Sequence, residues 1–203
     1  IYNVEKYINL MYPHLKTKIL SEVGSNSFGL GDKLKPILKN FKLSDTAQFY
    51  FFAAIRTENK KYLETLSKEY VILLDRYYFS TMVYQSNVEE YLTACNDLVC
   101  SESTLYLSII RNTSVKIDSL IYFYAPAEII EKRIKMSNKI DELENKILSN
   151  IEKWQKKYTD ILDKCKEDFP IFRINTNRDE NEVKKDINHS IDLILKGGKY
   201  KKV

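Results

Sequence analysis

The sequence predicts an α/β fold in which a parallel sheet is sandwiched by helices, and three observations carry the prediction. Short apolar runs alternate with long amphipathic stretches, the order that strand–helix–strand units produce. One run, Tyr70-Val71-Ile72-Leu73-Leu74, is continuously apolar, as a strand covered on both faces would be. The 203 residues, 44% of them hydrophobic, are enough to bury a sizeable core.

The elements come in this order. Val4, Tyr7, Ile8, Met11 and Leu15 recur at helical spacing and predict a helix at the start. Lys18-Ile19-Leu20 reads as a short strand. Asp45 with Gln48 three residues on resembles a capping box, opening a helix that runs to about Leu66. The first half of that helix is apolar nearly all round, so burial is expected. After Tyr70–Leu74, a second strong strand is Ser119–Tyr124, followed by a helix from about Pro126 through Arg133. A long helix is predicted from about Asp141 to Cys165, a weaker strand at Ile171-Phe172-Arg173-Ile174, and a last helix from Glu180 to Leu195 before Gly197-Gly198. Without repeats or a Pro- or Ser-rich linker, one domain spanning residues 1–203 is expected.

Composition narrows the function. Thirty-two basic against 28 acidic residues give +4, with both signs mixed along the chain. That excess does not argue for nucleic acid or an anionic membrane as partner. No apolar run reaches the roughly 18 residues of a membrane span, and the opening residues lack a signal-peptide core. Cys95, Cys100 and Cys165 are an odd number without CxxC pairs, which fits free thiols in a reducing, cytoplasmic setting. His14 and His189 stand in no catalytic motif.

Asp75-Arg76-Tyr77 comes directly after the best strand, and ligands of parallel α/β sheets bind beyond the carboxyl ends of the strands. The pair alone would also suit a structural ion pair. Phe52 and Arg56, four apart on a predicted helix, share a face that sets an aromatic ring beside a guanidinium, although Phe52 alone would equally suit plain core. A charge ending an apolar helical stretch needs a partner. Ser80 with Tyr84, and Thr81 with Gln85, share faces in the same way.

The run Asp75-Arg76-Tyr77-Tyr78-Phe79-Ser80-Thr81-Met82-Val83-Tyr84-Gln85 closely resembles the thymidylate kinase signature. That signature is Asp-Arg-Tyr, two residues, Ser-Ser or Ser-Thr, two residues, Tyr-Gln. Phe52-Ala53-Ala54-Ile55-Arg56 resembles the family's Phe-Ala-Ala-Asp-Arg. Asp118, Glu128 through Arg133, Asp141 with Glu144, and Tyr158 resemble the family's lid region and the segments flanking it, so the similarity runs from about Thr17 to Leu195.

The resemblance implies a nucleotide kinase of the P-loop NTPase fold that transfers the γ-phosphoryl group of ATP to dTMP, with Mg²⁺. It places Arg76 on the acceptor phosphate and Asp75 beside Mg²⁺, directly or through water. It places Tyr84 against the deoxyribose, where ribose carries its 2′-hydroxyl, with Ser80 fixing the ring. It places Thr81 and Gln85 near the thymine, with Phe52 and Arg56 on the base, and it implies a homodimer, for which the apolar stretch Phe49 to Ile55 is a hint.

Two departures stand out. Glu22 and Gly24, taken as an acceptor-side turn, resemble the family's Arg-Glu-Pro-Gly, but Ser21 replaces the Arg and Val23 the Pro. Lys33 or Lys35 would have to compensate. In the lid, about residues 135–145, Glu142 takes the slot nearest the family's arginine. Arg133, Lys135 and Lys139 are left to face the ATP phosphates, with Arg133 and Lys139 the catalytic candidates.

The family holds phosphates with GxxxxGK[ST] after its first, central strand. Gly24 to Gly31 supplies GxxxxG, but Leu-Gly comes next, and the one Gly-Lys is Gly198-Lys199. The first helix stands where the helix after that loop belongs. The central strand and phosphate loop, on the order of 15 to 25 residues, are therefore expected before Ile1, between the Tyr70–Leu74 and Ser119–Tyr124 strands. The chain as it stands is expected not to phosphorylate dTMP. The competing readings are a deoxynucleoside kinase of the related fold and an inactive thymidylate-kinase-like binding module.

Overall fold

A computed structural model describes residues 1–23, 28–85, 102–137, 140 and 142–197. Gly24, Cys95, Cys100, Lys139, Asp141 and Gly198, each named above, lie outside the described residues. The chain forms two compact units, residues 1–116 and 117–203.

In the first unit, helix α1 (Tyr2–Met11) buries Val4 and Ile8 and leaves Leu10 and Met11 exposed. It stops short of the predicted Leu15 because Pro13 has no N–H to continue the ladder. The chain turns instead, with Leu15 N donating to Tyr12 O at 2.9 Å. Strand β1 (Lys16–Leu20) pairs in parallel with β2 (Tyr70–Leu74), Lys16 opposite Tyr70 and Leu20 opposite Leu74. Asp75 N extends the ladder to Leu20 O at 2.9 Å. In β2 only Val71 is fully buried, so the strand is less covered than its apolar run predicted.

Helix α2 (Leu30–Asn40), not expected from the sequence, carries Pro36 in its interior. Helix α3 (Asp45–Leu66) has the predicted span, but its cap is Ser44 rather than Asp45. Ser44 Oγ accepts from Ala47 N at 3.2 Å, while the Gln48 amide donates to Leu43 O at 3.1 Å. Asp45 thereby enters the first turn, where its charge suits the helix dipole. Phe49, Ala53, Ile55 and Leu63 are buried, but Tyr50 and Tyr62 face solvent, so burial is not all round. Helices α4 (Tyr78–Tyr84) and α5 (Glu102–Thr113) are the remaining helices among the described residues of this unit.

In the second unit, β3 (Leu120–Tyr124) pairs in parallel with β4 (Ile171–Asn175), Leu120 opposite Ile171. Around them lie α6 (Ala127–Lys135), α7 (Glu142–Leu148), α8 (Ile151–Cys165) and α9 (Glu180–Gly197). The single helix predicted from Asp141 to Cys165 is in fact broken. The first helix ends at Leu148 and Asn150 caps the next, its Oδ1 accepting from Lys153 N at 3.0 Å. Trp154 Nε1 donates back across the break to Lys146 O at 2.9 Å, with Lys146 and Lys157 Nζ 5.5 and 5.0 Å from its ring. Ile161, Leu162, Cys165, Ile174, Ile191 and Leu195 form the core of this unit, and Cys165 is a buried free thiol. Among the described residues, no helix is long and apolar enough to cross a membrane.

Candidate functional site

Two helical stripes in the first unit meet. On α3, Gln48, Phe52 and Arg56 recur every four residues and so share a face; on α4 and its end, Thr81 and Gln85 do the same. Hydrogen bonds tie the stripes at both ends. Gln85 Nε2 donates to Gln48 Oε1 at 3.1 Å, and Arg56 Nη1 donates to the buried Thr81 Oγ1 at 3.0 Å. Phe52 stands between these ties on its stripe, half-buried. Four sequence-predicted residues are thus brought together, and Gln48, missed as a site residue, joins them. Its spacing of four from Phe52 was the signal.

The partner that Arg56 required is Glu22, just beyond the end of β1. Arg56 Nη1 donates to both carboxylate oxygens, each at 3.2 Å. Arg56 is 1% exposed, yet its Nε and Nη2 are buried without a hydrogen-bond partner. Leaving such donors unsatisfied costs about 1–3 kcal/mol apiece. Burial pushes the Glu22 carboxyl up to about 7, against the opposing pull of Arg56. Tyr77, also buried, is likewise pushed up by burial, and its hydroxyl accepts from Val115 N at 3.0 Å.

Glycine permits this geometry. A Cβ on Gly31 would lie 2.0 Å from the Glu22 carbonyl oxygen, so α2 can approach the end of β1 only with a bare Cα. Gly31, two residues beyond the GxxxxG spacing, therefore serves helix packing at this point.

At the end of β2, Asp75 and Arg76 are exposed. Arg76 is held at φ 61, a left-handed conformation that costs a residue with a Cβ roughly 1–2 kcal/mol. Strain of this kind concentrates at ligand clamps. Ser80 is half-buried, its N–H donating to Tyr77 O at 2.9 Å, and Tyr84 is buried one turn later. Lys33 is exposed and Lys35 half-buried on α2.

The second unit holds the cationic candidates. Arg133 is exposed on α6 and already engaged: Nη1 donates to Thr176 Oγ1 and Nη2 to Thr176 O, both at 2.8 Å. Lys135 pairs with Glu131 one turn earlier at 2.5 Å. Tyr158 stacks on Tyr122 with ring centroids 5.5 Å apart. Among the described residues, no cluster of three His, Cys, Asp or Glu side chains could hold a metal ion.

Comparison with known proteins identifies a family. A family profile described as Thymidylate kinase matches residues 8–187. The Thymidylate kinase of Campylobacter hominis is 29% identical over 160 residues, covering 78% of each chain. The Probable thymidylate kinase 1 of Saccharolobus solfataricus is 25% identical over 191 residues, 93% of this chain and 88% of the relative. Among solved structures, the thymidylate kinase of Candida albicans superposes with a TM-score of 0.63 at 20% identity, over 98% of this chain and 86% of that one, a likeness of fold. The matched span takes in the described strands of both units, and the chain belongs to the thymidylate kinase family.

Proposed function

We propose that this chain belongs to an enzyme that transfers the γ-phosphoryl group of ATP to dTMP, and that its first unit holds the acceptor nucleotide. The observation that carries the acceptor assignment is Arg56: a guanidinium fully desolvated and fixed through Nη1, with Nε and Nη2 left over as donors. A pyrimidine carbonyl is the acceptor that would relieve them, with the base stacked against Phe52 and bounded by Thr81 and Gln85. Tyr84, steadied by Ser80, stands against the deoxyribose in this reading.

Arg76 clamps the acceptor phosphate, a role for which its exposed fork of donors is suited. Asp75 offers one exposed carboxylate at the strand end, which fits Mg²⁺, an ion usually held by one or two carboxylates together with substrate phosphates and water. When bound, ATP and Mg²⁺ supply the phosphoryl group and neutralise charge as it moves; the chain's own residues position and screen. Arg133, Lys135 and Lys139 are assigned to the ATP side. A homodimer and a cytoplasmic setting belong to the same reading. Phe49 and Ile55 are core residues, so a dimer contact on α3 would use the exposed Tyr50 and Ala54, which share a face.

Because the sequence contains no GxxxxGK[ST], acceptor binding tests the assignment more directly than turnover. Calorimetric titration of the chain with dTMP is expected to show Arg56→Ala binding about ten- to a hundredfold more weakly, the worth of a charged hydrogen bond. Unchanged affinity would remove Arg56 and its neighbours from the base site.

A further inference from the structure

We infer that Glu22 is a positioning residue whose ionised carboxylate, gripping Nη1 of Arg56 with both oxygens, aims the remaining donors of that guanidinium at the bound base. The inference rests on the base-site reading of Arg56 and assigns Glu22 no contact with the nucleotide.

The geometry supports it from three sides. Both carboxylate oxygens are used on the same Nη1, 3.2 Å away, so no carboxylate oxygen reaches Nε or Nη2. Thr81 Oγ1, 3.0 Å from Nη1, fixes that nitrogen from α4. The backbone of Glu22 lies close against α2: a Cβ on Gly31 would be 2.0 Å from its carbonyl oxygen, so the strand end cannot move nearer to that helix. A guanidinium held at one nitrogen presents its other two in a fixed plane, and that is what bidentate recognition needs.

The grip requires charge. A neutral carboxyl has one oxygen carrying a proton, which cannot accept from Nη1 as the ionised oxygen does. The charged and titratable groups facing Glu22 are Arg56 from α3 and Tyr77 from the turn after β2; α2 meets it with Gly31, and α4 reaches the pair through the Thr81 hydroxyl. With the carboxyl pushed up to about 7 by burial, the two-oxygen grip forms as pH rises through that value and weakens as pH falls through it.

The test is dTMP affinity by calorimetry for the wild-type chain and Glu22→Gln from pH 5.5 to 8.5, read as the ratio of the two. The phosphate of dTMP titrates near pH 6, but it does so equally for both proteins and cancels in the ratio. The expected ratio is about tenfold at pH 8, falling towards one at pH 5.5, because the amide imitates the neutral carboxyl. A tenfold ratio that does not change with pH overturns the dependence on ionisation, and a ratio near one throughout overturns the positioning role.

Arg56→Ala measured alongside keeps the two readings apart. If it binds like wild type, the base-site assignment has failed; if it binds weakly while Glu22→Gln does not, only the positioning role has failed. Should Glu22→Gln not fold, the Arg56 Nε–H resonance of the wild-type protein gives the answer. A shift with a midpoint near pH 7 supports the grip, and a resonance that stays fixed across the range refutes it.

Discussion

Arg56 in the first unit and the paired cations of the second are held in opposite ways. Arg56 is desolvated, bonded to a carboxylate and a hydroxyl from separate elements, and still has buried donors to spare. Lys135 sits on a solvated helix face with its charge answered one turn away by Glu131, and Arg173 and Arg178 pair in the same exposed fashion with Asp163 and Asp186. Exposed pairs like these contribute about 0–1 kcal/mol and can re-form in many arrangements. A buried charge with unspent donors is costly in the free protein and gains most when a ligand arrives. The contrast separates a guanidinium fixed by the fold from charge available on its surface.

That contrast is most vulnerable at the packing beneath Arg56. Gly31→Val would drive side-chain carbon into the Glu22 carbonyl, so α2 or the end of β1 must move. Overpacking of this kind typically costs about 1–3 kcal/mol, and the urea midpoint should fall while dTMP affinity falls with it. A variant as stable as wild type would show that the approach of α2 to β1 is soft.

A smaller effect of opposite sign is expected at Arg76. Gly adopts φ 61 without strain, so Arg76→Gly relieves roughly 1–2 kcal/mol and gives back about half of it as backbone entropy. Stability should rise by up to about 1 kcal/mol while dTMP affinity drops at least about tenfold, the loss of a charged contact. A simultaneous loss of stability would mean that the guanidinium holds the fold together rather than a phosphate. The smallest effect belongs to Lys135→Ala, expected to move the melting free energy by less than about 0.5 kcal/mol. A larger loss would show that the exposed pair on α6 is part of a wider network.

Much of the fold and the site was legible in the sequence because it depends on local spacing. Tyr70–Leu74 and the span of α3 come from apolar runs and helical periodicity, and the Asp75-to-Gln85 run with Phe52 and Arg56 marked the family. Cap chemistry was harder, since Ser44 and Asp45 are both good N-caps and one residue decides between them. The break before α8 was missed for a related reason: an amphipathic pattern continues through Asn150, and only the capping bond to Lys153 shows that the helix restarts there.

What the sequence could not contain is the partner of Arg56. Glu22 lies 34 residues earlier, and nothing in periodicity links a strand end to the middle of a helix. The parallel pairing of β1 with β2, the bare Cα of Gly31 and the turn that brings α4 against α3 together place that carboxylate. Spacing along one helix is set by its 3.6-residue period, so residue types and faces can be read from the chain. Distance and desolvation between elements arise from tertiary packing, and it is those that turn an arginine on a helix into an oriented pair of donors.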